Sequence, residues 1–318
     1  MLEYDNLEEH LREFKPEARK ITLDSYIKYL ENLHKSINGE KSFDNLKWLK
    51  KSESVIEKIS EKSYLTQRNI LNAVIVGLHS VKGDDEVIEK YVEVRDQHNK
   101  KYRDDRMNSV VNEKQDKNMI TIEELDKIIN EQEKYIKYFK CNKKTDITSK
   151  EYLDFQIFVI LKFYQKYALR NDIVTLRYRT KSGYAKSAKD YNVYLPNEKE
   201  IILSEYKTSG KYGILKIDVD KNINGLLKCL IKQQQNFGFD NPDKYLLLKA
   251  NGKPYSKVEF SNLLINFFKK KIGKSISTTL LRKIFLSKYA DVKLEMAHDA
   301  KIMSHSTAVQ SSVYIPNK

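Results

Sequence analysis

The chain has 318 residues, of which 40% are hydrophobic and 32% are charged, and its formal net charge is +14. This composition is typical of a globular protein and excludes an intrinsically disordered chain, and no run of about 18 apolar residues suggests a membrane span. A positive surplus favours a polyanionic partner, with nucleic acid as the first candidate, although lysines on solvated helix faces would give the same composition.

The first part of the chain is predicted to be an all-helical bundle. In TLDSYIKYLENLHK, apolar residues recur at helical spacing from Leu23 to Leu33. LTQRNILNAVIVGLHS is expected to form a further helix with Thr66 as its N-cap residue, and Trp48 is expected to pack on the same core.

A strongly charged stretch, residues 95–118, follows this bundle and has few apolar residues. Such a pattern indicates a linker or a solvated helix end. We therefore predict two domains, 1–110 and 119–318, joined by a linker at 111–118.

The second domain is predicted to combine helices with a small antiparallel sheet. Thr121 and Glu124 have the spacing of a capping box, and YLDFQIFVILKFYQKYALR is apolar enough for a helix buried on most sides. DYNVYLP, EIILSEYKT and YGILKIDV read as short strands, with SGK as a turn, and NINGLLKCLIKQQQ and SKVEFSNLLINFFKKKIG read as helices. The predicted fold class is therefore mainly α with a small β-sheet (α+β).

Several chemistries are excluded by their missing motifs. IGKS at 272–275 resembles the end of a phosphate-binding P-loop, but Phe268 stands where that loop needs a glycine. The six histidines show no paired ligand spacing, and Cys141 and Cys229 form neither a metal motif nor a disulfide framework. Isolated cysteines and an acidic, polar N-terminus unlike a signal peptide lead us to expect a reducing, intracellular compartment.

A set of five residues in the second domain remains to be explained. Arg170 ends one buried helix, and Arg282 interrupts another apolar helix. Lys207 lies at the predicted hairpin tip, and His305 precedes Tyr314 by nine positions. An arginine among apolar neighbours needs a partner or a task. Arg170 and Arg282 lie 112 positions apart.

These residues, in this order and spacing, resemble the tyrosine recombinase (integrase) family. The signature of that family is an arginine, a hairpin lysine, a His-or-Lys-x-x-Arg box, a histidine and a nucleophilic tyrosine. The resemblance covers about residues 119–318, and the helical first part is similar to the family's core-binding domain. It implies a site-specific DNA recombinase, of a virus or mobile element, that needs no metal or cofactor.

The resemblance also implies a role for each residue. Arg170 and Arg282 would hold the non-bridging phosphate oxygens, Tyr314 would form a 3′-phosphotyrosyl bond, Lys207 would protonate the departing 5′-oxygen, and His305 would hydrogen-bond the phosphate or steer a proton. Thr279 departs from the pattern, because it occupies the His-or-Lys position of the box and threonine is a poor proton acceptor. The expected partner is double-stranded DNA clamped between the two domains, with a homotetramer acting on two duplexes and no membrane.

Other interpretations of the same residues stay open at this point. With 21 tyrosines in the chain, only its place after His305 distinguishes Tyr314, and Lys211 and Lys216 compete with Lys207 on the same hairpin. Arg170 would also suit the negative end of a helix dipole. Two alternative functions are a type IB DNA topoisomerase and a catalytically inactive DNA-binding protein with the recombinase fold.

Overall fold

The computed structural model describes residues 7–107, 113–140, 143–187 and 190–302. The chain divides into two compact units, Met1–Val111 and Asn112–Lys318. Each unit has its own hydrophobic core.

The described part of the first unit is helical, as predicted. Its elements are α1 (Leu7–Phe14), α2 (Lys20–Asn38), a 3₁₀ turn (Lys47–Lys50), α3 (Ser52–Ser60), α4 (Tyr64–Ser80) and α5 (Asp85–Met107). Helix α4 is central, because it packs against α1, α2, α3 and α5 and its residues 73–78 are all buried. Leu23, Leu30 and Leu33 of α2 are buried in the same core, which confirms the predicted stripe.

Three further sequence predictions concern the first unit. Trp48 packs on the core beside His34, with ring centroids 5.3 Å apart, as expected. The prediction of Thr66 as an N-cap residue is wrong, because α4 begins at Tyr64 and extended Ser63 precedes it. The hydroxyls of Ser63 and Thr66 instead bond each other at 3.0 Å. The charged stretch after residue 95 continues α5 to Met107, which matches a solvated helix end.

The second unit contains the remaining elements. In chain order they are α6 (Glu113–Asp116), α7 (Ile122–Tyr138), α8 (Ser149–Lys166), a 3₁₀ turn (Asn171–Thr175), β1 (Arg177–Tyr178), α9 (Lys181–Ala185), β2 (Val193–Leu195), β3 (Glu200–Leu203), α10 (Ser209–Tyr212), β4 (Leu215–Asp218), α11 (Lys221–Asn236), α12 (Lys257–Ile272), α13 (Thr278–Leu286), a 3₁₀ turn (Ser287–Tyr289) and α14 (Ala290–Ile302). The predicted class, mainly α with one small sheet, is confirmed.

The four strands form one sheet in the order β1-β2-β3-β4. Strands β2, β3 and β4 are antiparallel neighbours, as predicted, with Tyr194 opposite Ile201 and Ile201 opposite Ile217. Strand β1 was not predicted and pairs in parallel with β2, so the sheet is mixed. With only two residues, β1 is too short to show an alternating pattern in the sequence. The segment SGK, predicted as a simple turn, lies within the short helix α10.

Helix α8 is the central element of the second core. It packs against α7, α11 and α13, and residues 155–161 are all buried, as its apolar sequence predicts. Its start is fixed by a capping box in which Thr148 accepts from the Glu151 amide and Glu151 accepts from the Thr148 amide. The predicted box of Thr121 and Glu124 at the start of α7 is also present.

Residues 113–118, which the sequence analysis assigned to a linker, are bonded within the second unit. The Asn118 side chain accepts from the Ser275 amide at 2.5 Å, and the Lys283 ammonium donates to the Gln115 side chain at 2.6 Å. Lys274 donates to the Met119 carbonyl at 2.6 Å. The IGKS segment that resembles a P-loop contains Gly273, which ends α12 in a left-handed conformation. Its Lys274 and Ser275 hydrogen-bond to the start of the second unit.

Candidate active site

Arg170 lies just after the buried helix α8, in extended backbone at the start of the 171–175 turn. The hydroxyl of Tyr164, a buried residue of α8, donates to the Arg170 carbonyl at 3.2 Å. The side chain of Arg170 is exposed. The backbone is thus fixed to the core while the guanidinium group faces solvent.

Arg282 lies on α13 between buried apolar residues, Leu281 on one side and Ile284 on the other. Ser277 caps the start of the helix, and its side chain accepts from the Leu280 amide. The side chain of Arg282 is half-buried, and its Nε donates to the Ala168 carbonyl at 2.7 Å. This bond brings the second guanidinium to the segment that carries Arg170.

The two arginines are close enough to repel each other. The pKa of Arg282 is lowered, first by burial and then by the charge of Arg170, while Tyr164 and Asp172 act in the opposite direction. Two like charges held near one another favour an anion between them, because the anion relieves the repulsion. Guanidinium groups suit a phosphate in such a place, since their planar forks match its oxygens and stay protonated.

Asp172 supplies the negative charge of this neighbourhood and was missed by the sequence analysis. It is 6% exposed, and its Oδ1 lies 3.9 Å from the Lys257 ammonium. Burial raises the pKa of Asp172, while Lys257, Arg170 and Arg282 lower it by smaller amounts. The sequence signal was the carboxylate two positions after Arg170, since a buried acid beside an arginine needs a partner.

Side-chain bonds connect the 171–175 turn to the next two helices. The side-chain amide of Asn171 donates to the Ser261 hydroxyl at 3.1 Å and to the Lys257 carbonyl at 3.4 Å, and both acceptors are on α12. The Ser261 hydroxyl in turn lies 3.5 Å from that of Thr278, in the first turn of α13. The turn after Arg170 and the helix of Arg282 are therefore held by one polar chain.

Asn192 connects the same turn to the predicted hairpin lysine. It is 1% exposed, its amide donates to the Thr175 hydroxyl and the Glu205 carbonyl, both at 2.8 Å, and its Oδ1 accepts from the Ser204 and Glu205 amides, both at 2.9 Å. Lys207 follows this segment in the β3–β4 connection and is exposed. Sequence analysis missed Asn192, although a polar residue immediately before a buried strand was a usable signal.

The remaining predicted site residues are Thr279, His305 and Tyr314. Thr279 is exposed in the first turn of α13, three positions before Arg282. His305 and Tyr314 lie outside the described residues. The structure thus brings Arg170 and Arg282 together, joins the segment before Lys207 to the turn after Arg170, and places Thr279 on the helix of Arg282.

Two other kinds of feature are missing from the described residues. Between residues 7 and 302, outside the gaps given above, no group of three or more His, Cys, Asp or Glu side chains is arranged to hold a metal ion. Over the same ranges, no helix combines the length and apolar character needed to cross a membrane.

Comparison with known proteins gives a weak structural likeness and no match in sequence. No family model matches the chain, and no curated protein matches its sequence. Among solved structures, the crystal structure of XerA recombinase aligns over 98% of this chain and 94% of its own, with 12% identity and a TM-score of 0.38. A TM-score of this size carries no argument about function, which rests instead on the geometry of the site.

Proposed function

We propose that this protein is a tyrosine recombinase that cuts and rejoins DNA through a 3′-phosphotyrosyl intermediate. The observation that carries the proposal is the 2.7 Å bond from Arg282 to the Ala168 carbonyl, which brings this guanidinium to the segment that carries Arg170, 112 positions away in the chain. A pair of mutually repelling guanidinium groups at the surface is suited to a bound phosphodiester.

In the proposed reaction, the phenol oxygen of Tyr314 attacks phosphorus and the bond from phosphorus to the 5′-oxygen breaks. Arg170 and Arg282 stabilise the extra negative charge on the non-bridging oxygens, and losing one such donor costs about 10²–10³ in rate. Lys207 donates the proton that the 5′-oxygen takes up. His305 or water accepts the phenol proton, because Thr279 is a poor base and serves as a hydrogen-bond donor to the phosphate.

The phosphotyrosyl linkage conserves the energy of the DNA bond, so rejoining needs no nucleotide cofactor. The net charge of +14 suits double-stranded DNA as the partner, and binding should weaken steeply as salt rises. We further propose that a homotetramer acts on two duplexes and that the protein serves a virus or mobile element. Both statements rest on the family resemblance.

The proposal is tested by trapping the covalent adduct on a pool of nicked duplexes of random sequence. When the nicked strand is cut a few nucleotides 5′ of the nick, the short fragment with the free 5′-hydroxyl dissociates, so the adduct accumulates and survives a denaturing gel. We expect adduct from the native chain, none from Tyr314→Phe, and about 10²-fold less from Arg282→Ala. Tyr289→Phe changes an exposed tyrosine of the same unit and serves as the control.

The same experiment separates the alternatives. An undiminished adduct from Tyr314→Phe would refute the assigned nucleophile. DNA binding without adduct would indicate an inactive DNA-binding protein. Sequencing the trapped strands gives the target: adducts spread over all sequences, with relaxation of any supercoiled plasmid, would instead indicate a type IB topoisomerase.

A further inference from the structure

Large apolar side chains are exposed in and after the connection between β3 and β4. The β3–β4 loop comprises residues 204–214, and strand β4 follows it. Tyr212 is 65% exposed, Ile214 is 60% exposed and Leu215 is 42% exposed. Single exposed apolar residues are ordinary, but three within four positions form a patch of the kind that marks an interaction site.

The loop is held in shape while it presents these side chains. Tyr206 is buried, its hydroxyl donates to the Gly213 carbonyl at 2.8 Å, and its carbonyl accepts from the Ser209 amide at 3.1 Å. Gly213 has a φ of +66°, which a residue with a side chain rarely adopts. Because hydrogen bonds hold the backbone on both sides of Tyr212, the loop conformation keeps this side chain exposed.

Lysines outnumber acids in and beside this patch. Lys207, Lys211 and Lys216 lie in the same stretch of chain as the apolar residues, and the nearest acids along the chain are Glu205 and Asp218, one at each end of the stretch. The Lys211 ammonium lies 5.2 Å from the centre of the Tyr212 ring. An apolar protein partner would not require this run of lysines, whereas a polyanion with stacked aromatic bases matches both the charge and the rings.

The loop is also connected to the arginine site. Asn192 binds the Glu205 carbonyl at the beginning of the loop and the Thr175 hydroxyl at the end of the turn that follows Arg170. Both bonds are 2.8 Å long and come from one buried amide group. A DNA molecule held by the arginines would therefore pass near a loop whose position is fixed relative to them.

We infer that Tyr212 and Ile214 form a wedge that enters a groove of duplex DNA and partly unstacks the bases beside the reactive phosphate. The inference rests on the proposed function and adds a binding element to it. Proteins that insert apolar side chains between base steps bend and locally unwind the duplex. The lysines would hold the flanking phosphates while the apolar side chains separate the bases.

The test measures DNA unwinding, which does not depend on a particular target sequence. A closed circular plasmid is relaxed by an added topoisomerase in the presence of the full chain, and the topoisomers are then separated after the protein is removed. If the protein itself cut and rejoined the plasmid, it would also relax the plasmid, as the added topoisomerase does, so the measured linking number would still report unwinding by bound protein. Native protein should lower the linking number, and the double variant Tyr212→Ser/Ile214→Ser should lose at least about half of this shift at equal bound protein.

The matched control is Tyr138→Ser, which removes an 80% exposed tyrosine from helix α7 of the same unit. It should retain the native shift. All three replaced side chains face solvent, so folding should be preserved, and an unchanged melting temperature would verify this. In the same preparations, a 30-base-pair duplex should bind the double variant on the order of tenfold more weakly than the control, because base stacking on an aromatic ring is lost.

Three outcomes would overturn the wedge. One is native protein that binds the plasmid without changing its linking number, and another is a double variant with the native shift. The third is a double variant that changes only the oligomeric state in light scattering, which would make the patch a contact between copies of the chain. Loss of covalent adduct on the nicked duplex pool with unwinding intact would instead count against the proposed chemistry, while the wedge would stand.

Discussion

Replacing Asp172 by asparagine should separate folding from catalysis. The carboxylate is buried among positive groups, and its Oδ1 lies 3.9 Å from the Lys257 ammonium. Asparagine has almost the same shape without the charge. The variant therefore removes a negative charge that acts on both Arg170 and Arg282 and leaves the packing in place.

The magnitude follows from opposing effects at this carboxyl group. At 3.9 Å, attraction to Lys257 is worth roughly 4 kcal/mol at an effective dielectric constant of about 20, and much less here because that lysine is 55% exposed to solvent. Burial costs a charged group several kcal/mol, and the pKa of Asp172 is raised because burial, with a smaller contribution from Glu205, outweighs the three cations. The free energy of unfolding at neutral pH should therefore stay within about 1 kcal/mol of the native value or rise.

Catalysis should respond in the opposite direction. Without the carboxylate, Arg170 and Arg282 repel each other more strongly, and a displacement of about 1 Å at a reacting group costs about 10²-fold in rate. Affinity for a short duplex should hold or increase, because the site gains positive charge. We expect Asp172→Asn to form adduct about 10²-fold more slowly on the nicked duplex.

The assay combines chemical denaturation, duplex binding and adduct formation, with Asp146→Asn as a control that changes an exposed carboxylate. A carboxyl group whose folded pKa is raised destabilises the fold at high pH, so any gain from Asp172→Asn should disappear as pH falls below the ordinary value. A loss of several kcal/mol at neutral pH, or native cleavage by the variant, would refute the role assigned to this carboxylate.

Three further predictions concern single side chains. The Lys144 ammonium and the Thr148 amide lower the pKa of Glu151 to about 2. Glu151→Gln should therefore cost at most about 3 kcal/mol of unfolding free energy at neutral pH. Denaturation at several pH values should show this difference from native protein vanish as pH falls from 4.5 to about 2. Asn192→Ala leaves four hydrogen bonds unmade and should cost about 2–4 kcal/mol and slow adduct formation. Asn192→Asp keeps the acceptor but buries a charge and sets a carboxylate oxygen against the Glu205 carbonyl, so it should cost at least as much at neutral pH. Tyr91→Phe removes a buried hydroxyl that donates at 2.6 Å to a backbone carbonyl, and calorimetry should show a loss of about 1–2 kcal/mol in the first unit; native stability there would contradict the bond.

Local patterns in the sequence were sufficient for most of the long helices and for three of the strands. The stripe from Leu23 to Leu33 and the apolar run of α8 follow from periodicity, since each residue's burial depends on its position within one helix. The capping box of Thr121 and Glu124 was predictable for the same reason, because both partners lie within one turn. Thr66 shows the limit, since Ser63 is an equally good capping residue and the sequence does not choose between them.

The sequence identified the candidate residues by their types and order, but it did not predict their hydrogen-bond partners or their burial. The sequence predicts that Arg282 needs a partner, because it interrupts an apolar helix. It does not predict that this partner is the carbonyl of Ala168, or that Asp172 loses enough hydration to raise its pKa. Those facts depend on which elements pack against each other.

The sequence by itself determined most of the long helices, strands β2 to β4, the basic character of the chain and the candidate residues Arg170, Lys207 and Arg282. Only the tertiary structure decided that Arg282 bonds to the segment that carries Arg170, that Asn192 joins the β3–β4 loop to the turn after Arg170, and that β1 runs parallel to β2. The physical reason is range: propensity, capping and periodicity act within a few residues, whereas these arrangements join groups that the chain separates and that only the packed core holds together.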